Sequence, residues 1–167
     1  MKPFKTTLAL FAFLIGFASQ AQDKKPLSTA ETATGKIGNA TVTIAYSSPS
    51  VREREIWGAL VPYGKVWRAG ANAATTFQTD KSLTIEGKEL PAGKYSVFVI
   101  PEKDNATVIF NKDLEQRGTE NYSEGKDQLR VKVKTSSIAK SEKLTYVINP
   151  KGFALNWDKI SIPVSAK

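Results

Sequence analysis

The sequence predicts an all-β domain: an antiparallel β-sandwich, immunoglobulin-like or jelly-roll, with one short helix in a long loop. Three observations carry this. Short runs of alternating apolar and polar residues recur from Thr41 towards the C-terminus. Turn signals such as Glu86-Gly87 and Pro91-Ala92-Gly93 separate them. The chain has no internal repeat, and its length suits one domain with a core of its own rather than an array.

Taken in order, Lys2 and Lys5 precede an apolar run from Leu8 to Phe17, and Ser19-Gln20-Ala21 then offers small residues at −3 and −1. This is the pattern of a secretory signal cleaved after Ala21, too short to span a bilayer. Residues 1–21 are therefore expected to be removed on export to the periplasm or beyond, leaving 146 of the 167 residues. Residues 22–33 are expected to be a flexible start, and 34–167 the sandwich domain. Three Asn-x-Ser/Thr sequons, at Asn39, Asn105 and Asn121, matter only in a eukaryotic secretory route.

Thr41 to Tyr46 alternates, with Val42, Ile44 and Tyr46 on one face. From Ser47 to Thr76 neither strand nor helix period holds, apart from an expected helical turn or two between Glu53 and Leu60, stopped before Pro62. Thr75 to Thr79 and Leu83 to Ile85 follow as short strands, with Glu86-Gly87 suited to a tight hairpin turn. Lys94 to Ile100 is apolar on both faces, as a central strand must be, and Ala106 to Phe110 returns beside it. A second long loop, acid-rich, covers 111–127. Alternation then resumes at Leu129, Val131 and Val133, at Leu144, Tyr146 and Ile148, at Phe153, Leu155 and Trp157, and at Ile160 and Ile162, with turns placed at Gly152 and Asp158-Lys159. Eight or nine such strands suit a sandwich or jelly roll.

The residues present restrict the chemistry. With no His and no Cys there is no disulfide, no triad or thiol dyad, and no zinc or copper site of the usual kind. No metal and no cofactor are expected. An enzyme would have to work with carboxylates, Lys, Tyr or Ser, so the expectation leans away from catalysis. The formal charge is +8, of which Lys2 and Lys5 supply two. In an exported protein that basic balance points to anionic small molecules or glycans rather than nucleic acid, or merely to a soluble surface.

The segment 47–76 crowds Arg52, Arg54, Trp57, Tyr63, Lys65, Trp67 and Arg68 together. A structureless connection of this length inside a small domain is ordered by its own side chains and used for something. Arg54, Tyr63, Trp67, Arg68 and Asn72 are the candidate ligand-binding residues. Trp offers a flat platform, Arg a planar fork for carboxylate, phosphate or sulfate, and Asn both a donor and an acceptor. The competing readings make Trp67 a plug, pair Arg68 internally with Glu53 or Glu55, and leave Arg52 and Arg54 in a solvated charge cluster. The acids of the second loop, Asp113, Glu115, Glu120, Glu124 and Asp127, fit no EF-hand spacing, and nothing places two of them as a glycosidase pair. Arg130, Lys132 and Lys134 form a basic stripe that can track a polyanion or guard a strand edge.

Several of these stretches coincide with a family pattern: Thr43 to Ser47, Pro49-Ser50-Val51, Arg54 to Gly58, above all Leu60 to Thr76, then Pro91 to Ser96, Val108 to Lys112 and Leu129 to Val133. In them the chain resembles the domain of unknown function 2911 family of exported bacterial proteins. It departs at Ser48, where the family often has a basic residue, and at Arg117, where it often has Trp. The resemblance implies export and a compact β domain and supplies no activity, so function must come from the site. The leading expectation is a non-enzymatic binding module for a small anion or acidic glycan. The alternatives are a structural or partner-binding envelope protein and, more weakly, a carboxylate-dependent hydrolase.

Overall fold

A computed structural model of the chain describes residues 27–167. The expected signal over 1–21 lies outside the described residues, as do positions 22–26 of the expected flexible start. That start ends earlier than expected, because Thr29–Ile37 already forms strand β1. It pairs along its whole length with β2 (Ala40–Ser48). Only Ile37 of β1 is fully buried, with Ala33 packed beside the core, so the strand carries little apolar signal and leans on backbone pairing.

Strand β3 (Thr75–Thr79) follows, then the short hairpin of β4 (Leu83–Ile85) and β5 (Lys88–Leu90), turned at Glu86-Gly87. Next come β6 (Gly93–Pro101), β7 (Asn105–Asn111) and β8 (Asp127–Lys134). Six of these form one antiparallel sheet in the order β1-β2-β3-β6-β7-β8. The last two, β9 (Ser136–Asn149) and β10 (Gly152–Ser165), form a long hairpin. The fold is thus nearly all β and antiparallel, an arrangement that suits a sandwich rather than a closed barrel.

The core lies between the six-stranded sheet and the hairpin. Phe153 of β10 sits 5.3 Å from Phe77 of β3, ring centre to ring centre, and Phe77 sits 5.2 Å from Phe110 of β7. Such pairs add about 0.5–1.5 kcal/mol each beyond the area they bury. Strand β6 is central, between β3 and β7, and buries both faces. Tyr95, Val97 and Val99 enter the main core, while Phe98 joins Ala74 and Ile109 in a small cluster on the other side, against Val66 and Tyr122.

Two expectations are corrected. The helical turn between Glu53 and Leu60 does not form. Arg52, Glu53 and Gly58 have φ of 50°, 58° and 90°, outside the right-handed helical region. The chain curls instead so that Ile56 and Val61 are both buried, with the Val61 N–H donating to the Ile56 carbonyl at 2.8 Å. Among the described residues the one helical turn is a 3-10 turn at Glu124–Lys126, in the second loop.

The turn placed at Asp158-Lys159 is a bulge. Asp158 (φ 51°) interrupts the register with β9 on both sides, yet β10 runs on. The strand bends so far that its ends meet. The Ala166 N–H donates to the Lys151 carbonyl at 2.9 Å, and a Cβ on Gly152 would stand 2.0 Å from the Val164 oxygen. Only glycine fits there.

Candidate functional site

The segment from Pro49 to Ala74 is pinned along its length by backbone. Its start pairs with β9: Val51 N–H to the Glu142 carbonyl at 2.8 Å, and Leu144 N–H to the Pro49 carbonyl at 2.9 Å. Its middle runs beside β6 where β3 no longer reaches. Trp67 and Val99 exchange two hydrogen bonds of 2.8 Å, and Gly64 donates to the Pro101 carbonyl at 2.8 Å.

Trp67 is held by its neighbours as well. It stacks on Trp157 of β10 at 5.8 Å and 15°, and meets Trp57 edge-on at 5.8 Å and 88°. The Trp57 indole N–H donates to the Trp157 carbonyl at 3.3 Å. The three tryptophans form one cluster that fastens the segment to the hairpin, and Trp67 keeps 9% of its surface exposed.

The turn after Trp67 is equally constrained. Ala69 (φ 54°) and Asn72 (φ 59°) are left-handed, a conformation that costs a non-glycine residue about 1 kcal/mol or more. The Ala69 carbonyl accepts two hydrogen bonds, from the Thr75 hydroxyl at 2.9 Å and from the buried Tyr146 phenol at 2.8 Å. Ala71 N–H donates to the Ser47 carbonyl at 3.1 Å. A side chain at Gly70 would meet Thr75 Oγ1 at 2.9 Å and the Ser47 oxygen at 3.1 Å, so this turn packs backbone against backbone. Burial pushes the Tyr146 phenol well above its ordinary pKa, keeping it protonated as the donor to Ala69.

Between this turn and the start of the segment lies a cavity of about 300 Å³. Arg54, Trp67, Arg68 and Asn72 line it together, and Arg52, Leu27 and Trp157 join them. The fifth candidate, Tyr63, is elsewhere: its ring packs against Gly58 and borders a separate crevice with Pro101 and Ile160.

The three arginines are held differently. Arg54 donates from Nε to the Val51 carbonyl at 3.0 Å and from Nη2 to the Ser50 carbonyl at 2.6 Å. Arg52 donates from Nη2 to the Leu27 carbonyl at 2.6 Å, and its backbone N–H donates to Glu142 Oε1 at 2.9 Å. Arg68 is half-buried, and its buried Nε has no hydrogen-bond partner among the described residues. Burial lowers its pKa by desolvation, and it remains a cation, as arginine does. Among the described residues no Asp or Glu lines the cavity, and none of the ion pairs involves Arg52, Arg54 or Arg68. An internal pair of Arg68 with Glu53 or Glu55 is therefore not formed among these residues. The plug reading fits Trp67; it does not fit Arg68.

Sequence reasoning singled out four of the seven residues named here as lining the cavity. Arg52 stands beside Arg54 in the sequence, and both line the cavity, with Arg52 and Glu53 in left-handed backbone. Trp157 and Leu27 reach it from distant positions with no local signal.

Three acids of the second loop, Asp113, Glu124 and Asp127, are paired locally. Lys126 pairs with Asp113 at 2.5 Å and holds its carboxyl below the usual range. Arg130 pairs with Glu124 and lies 3.4 Å from Asp127, which also accepts from Tyr122 at 2.7 Å and Asn111 at 2.7 Å. Among the described residues no group of three or more carboxylates is placed to hold a metal ion, and no helix is long and apolar enough to cross a membrane.

Fold and cavity together define an antiparallel β domain with an arginine-lined cleft. The chain matches the family described as "Protein of unknown function (DUF2911)" over residues 28–166, and it belongs to that family. No curated protein and no solved structure matches it.

Proposed function

We propose that this protein is an exported, non-enzymatic binding module for a small anion or acidic glycan, and that the ligand sits in the cavity between Arg54 and Arg68. The observation that supports this most is Arg68. A half-buried guanidinium with no Nε partner among the described residues, in a cavity they line without a carboxylate, loses hydration without gaining a protein counter-ion from them. An anion in the cavity supplies both the charge and the acceptor. The turn that carries Arg68 is fixed beforehand by Tyr146, Thr75 and Ser47, so little ordering remains to oppose binding.

A thermal-shift screen of the purified protein against acidic sugars, nucleotides and polyanions tests the reading. A ligand at about a hundred times its dissociation constant adds about 2.7 kcal/mol of stability. A screen in which no anion raises the melting temperature counts against it and favours the structural, partner-binding reading, for which the buried Trp67–Trp157 stack is the supporting observation. Export has its own check. The intact mass of the exported form should correspond to a chain beginning at Gln22, within a residue or two; retention of residues 1–21 would contradict export by cleavage.

A further inference from the structure

Resting on that reading, we infer that the ligand class is a small phosphate monoester, taken up as its dianion, rather than a carboxylate such as a uronic acid. Among the described residues three arginines and no acid line the cavity. Each has five N–H groups in a fixed fork. Arg54 commits two of its N–H groups to the Ser50 and Val51 carbonyls, and Arg52 commits one to Leu27. Arg68 commits none of its Nε donor capacity. A carboxylate has two oxygens and one charge; two forks saturate it, and the third arginine stays uncompensated. A phosphate monoester presents three terminal oxygens and close to two charges near neutral pH, because its second pKa is about 6. It gives each arginine an oxygen and offsets most of the excess charge. Leu60, Val61, Trp67 and Trp157 give the wall an apolar stretch, beside the polar Ser28, Ser50 and Asn72, that accommodates a carbon skeleton free phosphate lacks. At about 300 Å³ the cavity lies at the small end of ligand sites, so it suits a single small ester or the end group of a larger molecule.

The test is calorimetric titration of the purified protein at fixed ionic strength with three probes that share one ring: glucose 6-phosphate, glucose 6-sulfate and glucuronate. One additional charge-assisted contact is worth about tenfold in affinity. Glucose 6-phosphate is therefore expected to bind about tenfold or more tightly than glucuronate at pH 7.5. The sulfate ester, with three oxygens but one charge, is expected between them. Lowering the pH to 5 protonates the phosphate and should weaken glucose 6-phosphate severalfold while leaving the sulfate ester unchanged. Arg52→Gln, checked by its melting curve, should narrow the gap between phosphate and carboxylate. Glucuronate binding as tightly as glucose 6-phosphate, or phosphate binding that ignores pH, overturns the phosphate assignment and leaves anion binding standing. Absence of binding by all three overturns both.

Discussion

The two long loops of this domain carry similar numbers of charges and use them in opposite ways. In the loop between β7 and β8 the charges meet one another: Lys126 with Asp113, Arg130 with Glu124 and Asp127, and Asp127 again with Tyr122 and Asn111. In the segment between β2 and β3, the guanidinium groups of Arg52 and Arg54 hold only backbone carbonyls among the described residues, and the Arg68 Nε holds none of them. Carbonyls orient a guanidinium without neutralising it. The second loop therefore pairs Asp113, Glu124 and Asp127 with cations, while the first leaves positive charge facing a cavity. The first is also the more firmly built, through the tryptophan cluster and the doubly bonded Ala69 carbonyl. A rigid support under uncompensated charge is what a binding site needs; locally paired charge on a loop needs no ligand.

The largest effect should come from cutting the support of the first loop. Trp157→Ala removes the ring on which Trp67 stacks and leaves a cavity in the core, at a cost of about 3–5 kcal/mol in denaturant unfolding. A loss below about 1 kcal/mol would mean the segment is anchored some other way.

Tyr146→Phe should cost less, about 1–2 kcal/mol, since the Ala69 carbonyl keeps its bond from Thr75. The same residue sets a pH dependence. Its pKa in the fold is raised above the ordinary tyrosine value of about 10, so the unfolded chain ionises first. Stability from this source is complete below about pH 10 and declines as pH rises beyond it. Melting curves across alkaline pH should show the decline in the wild type and a reduced one in Tyr146→Phe.

The smallest effects belong to the second loop. Asp113→Asn breaks an exposed pair with Lys126, and its melting curve should nearly superimpose on that of the wild type. Neither it nor Glu120→Gln should alter ligand binding. A hydrolytic activity abolished by either change in a folded variant would revive the hydrolase alternative and reverse the contrast between the loops.

How much of this could be read in advance follows from which residues touch the core. Val42, Ile44, Phe77, Leu83, Val97 and Phe110 alternate into it, and their strands are legible at nearly the right boundaries. Strand β1 buries one residue fully, and the first half of β9 (Ser136 to Lys143) buries none. Backbone pairing carries most of those strands, with few apolar side chains to mark them. The bulge at Asp158 looks like a turn in sequence because a polar residue with left-handed backbone serves both. In the site, the crowding of Arg54, Trp67, Arg68 and Asn72 is a local feature and was visible. Their union with Trp157 and Leu27 depends on how the hairpin and β1 pack. Tyr63 belongs to the same run of sequence but turns away against Gly58.

The most direct measurement is a pair of experiments on Arg68→Ala beside the wild type: a melting curve, and a titration with the best anion from the screen. Removing a paired buried arginine would cost about 3–5 kcal/mol, because the partner is left uncompensated. Arg68 has no such partner among the described residues, so its loss should change stability by about 0.5 kcal/mol or less, or raise it slightly. Binding of the anion should be lost, and Arg68→Lys should recover only part of it, because lysine keeps the charge and lacks the fork. A sharp fall in melting temperature with no change in anion affinity would contradict the assignment of this cavity as a binding site.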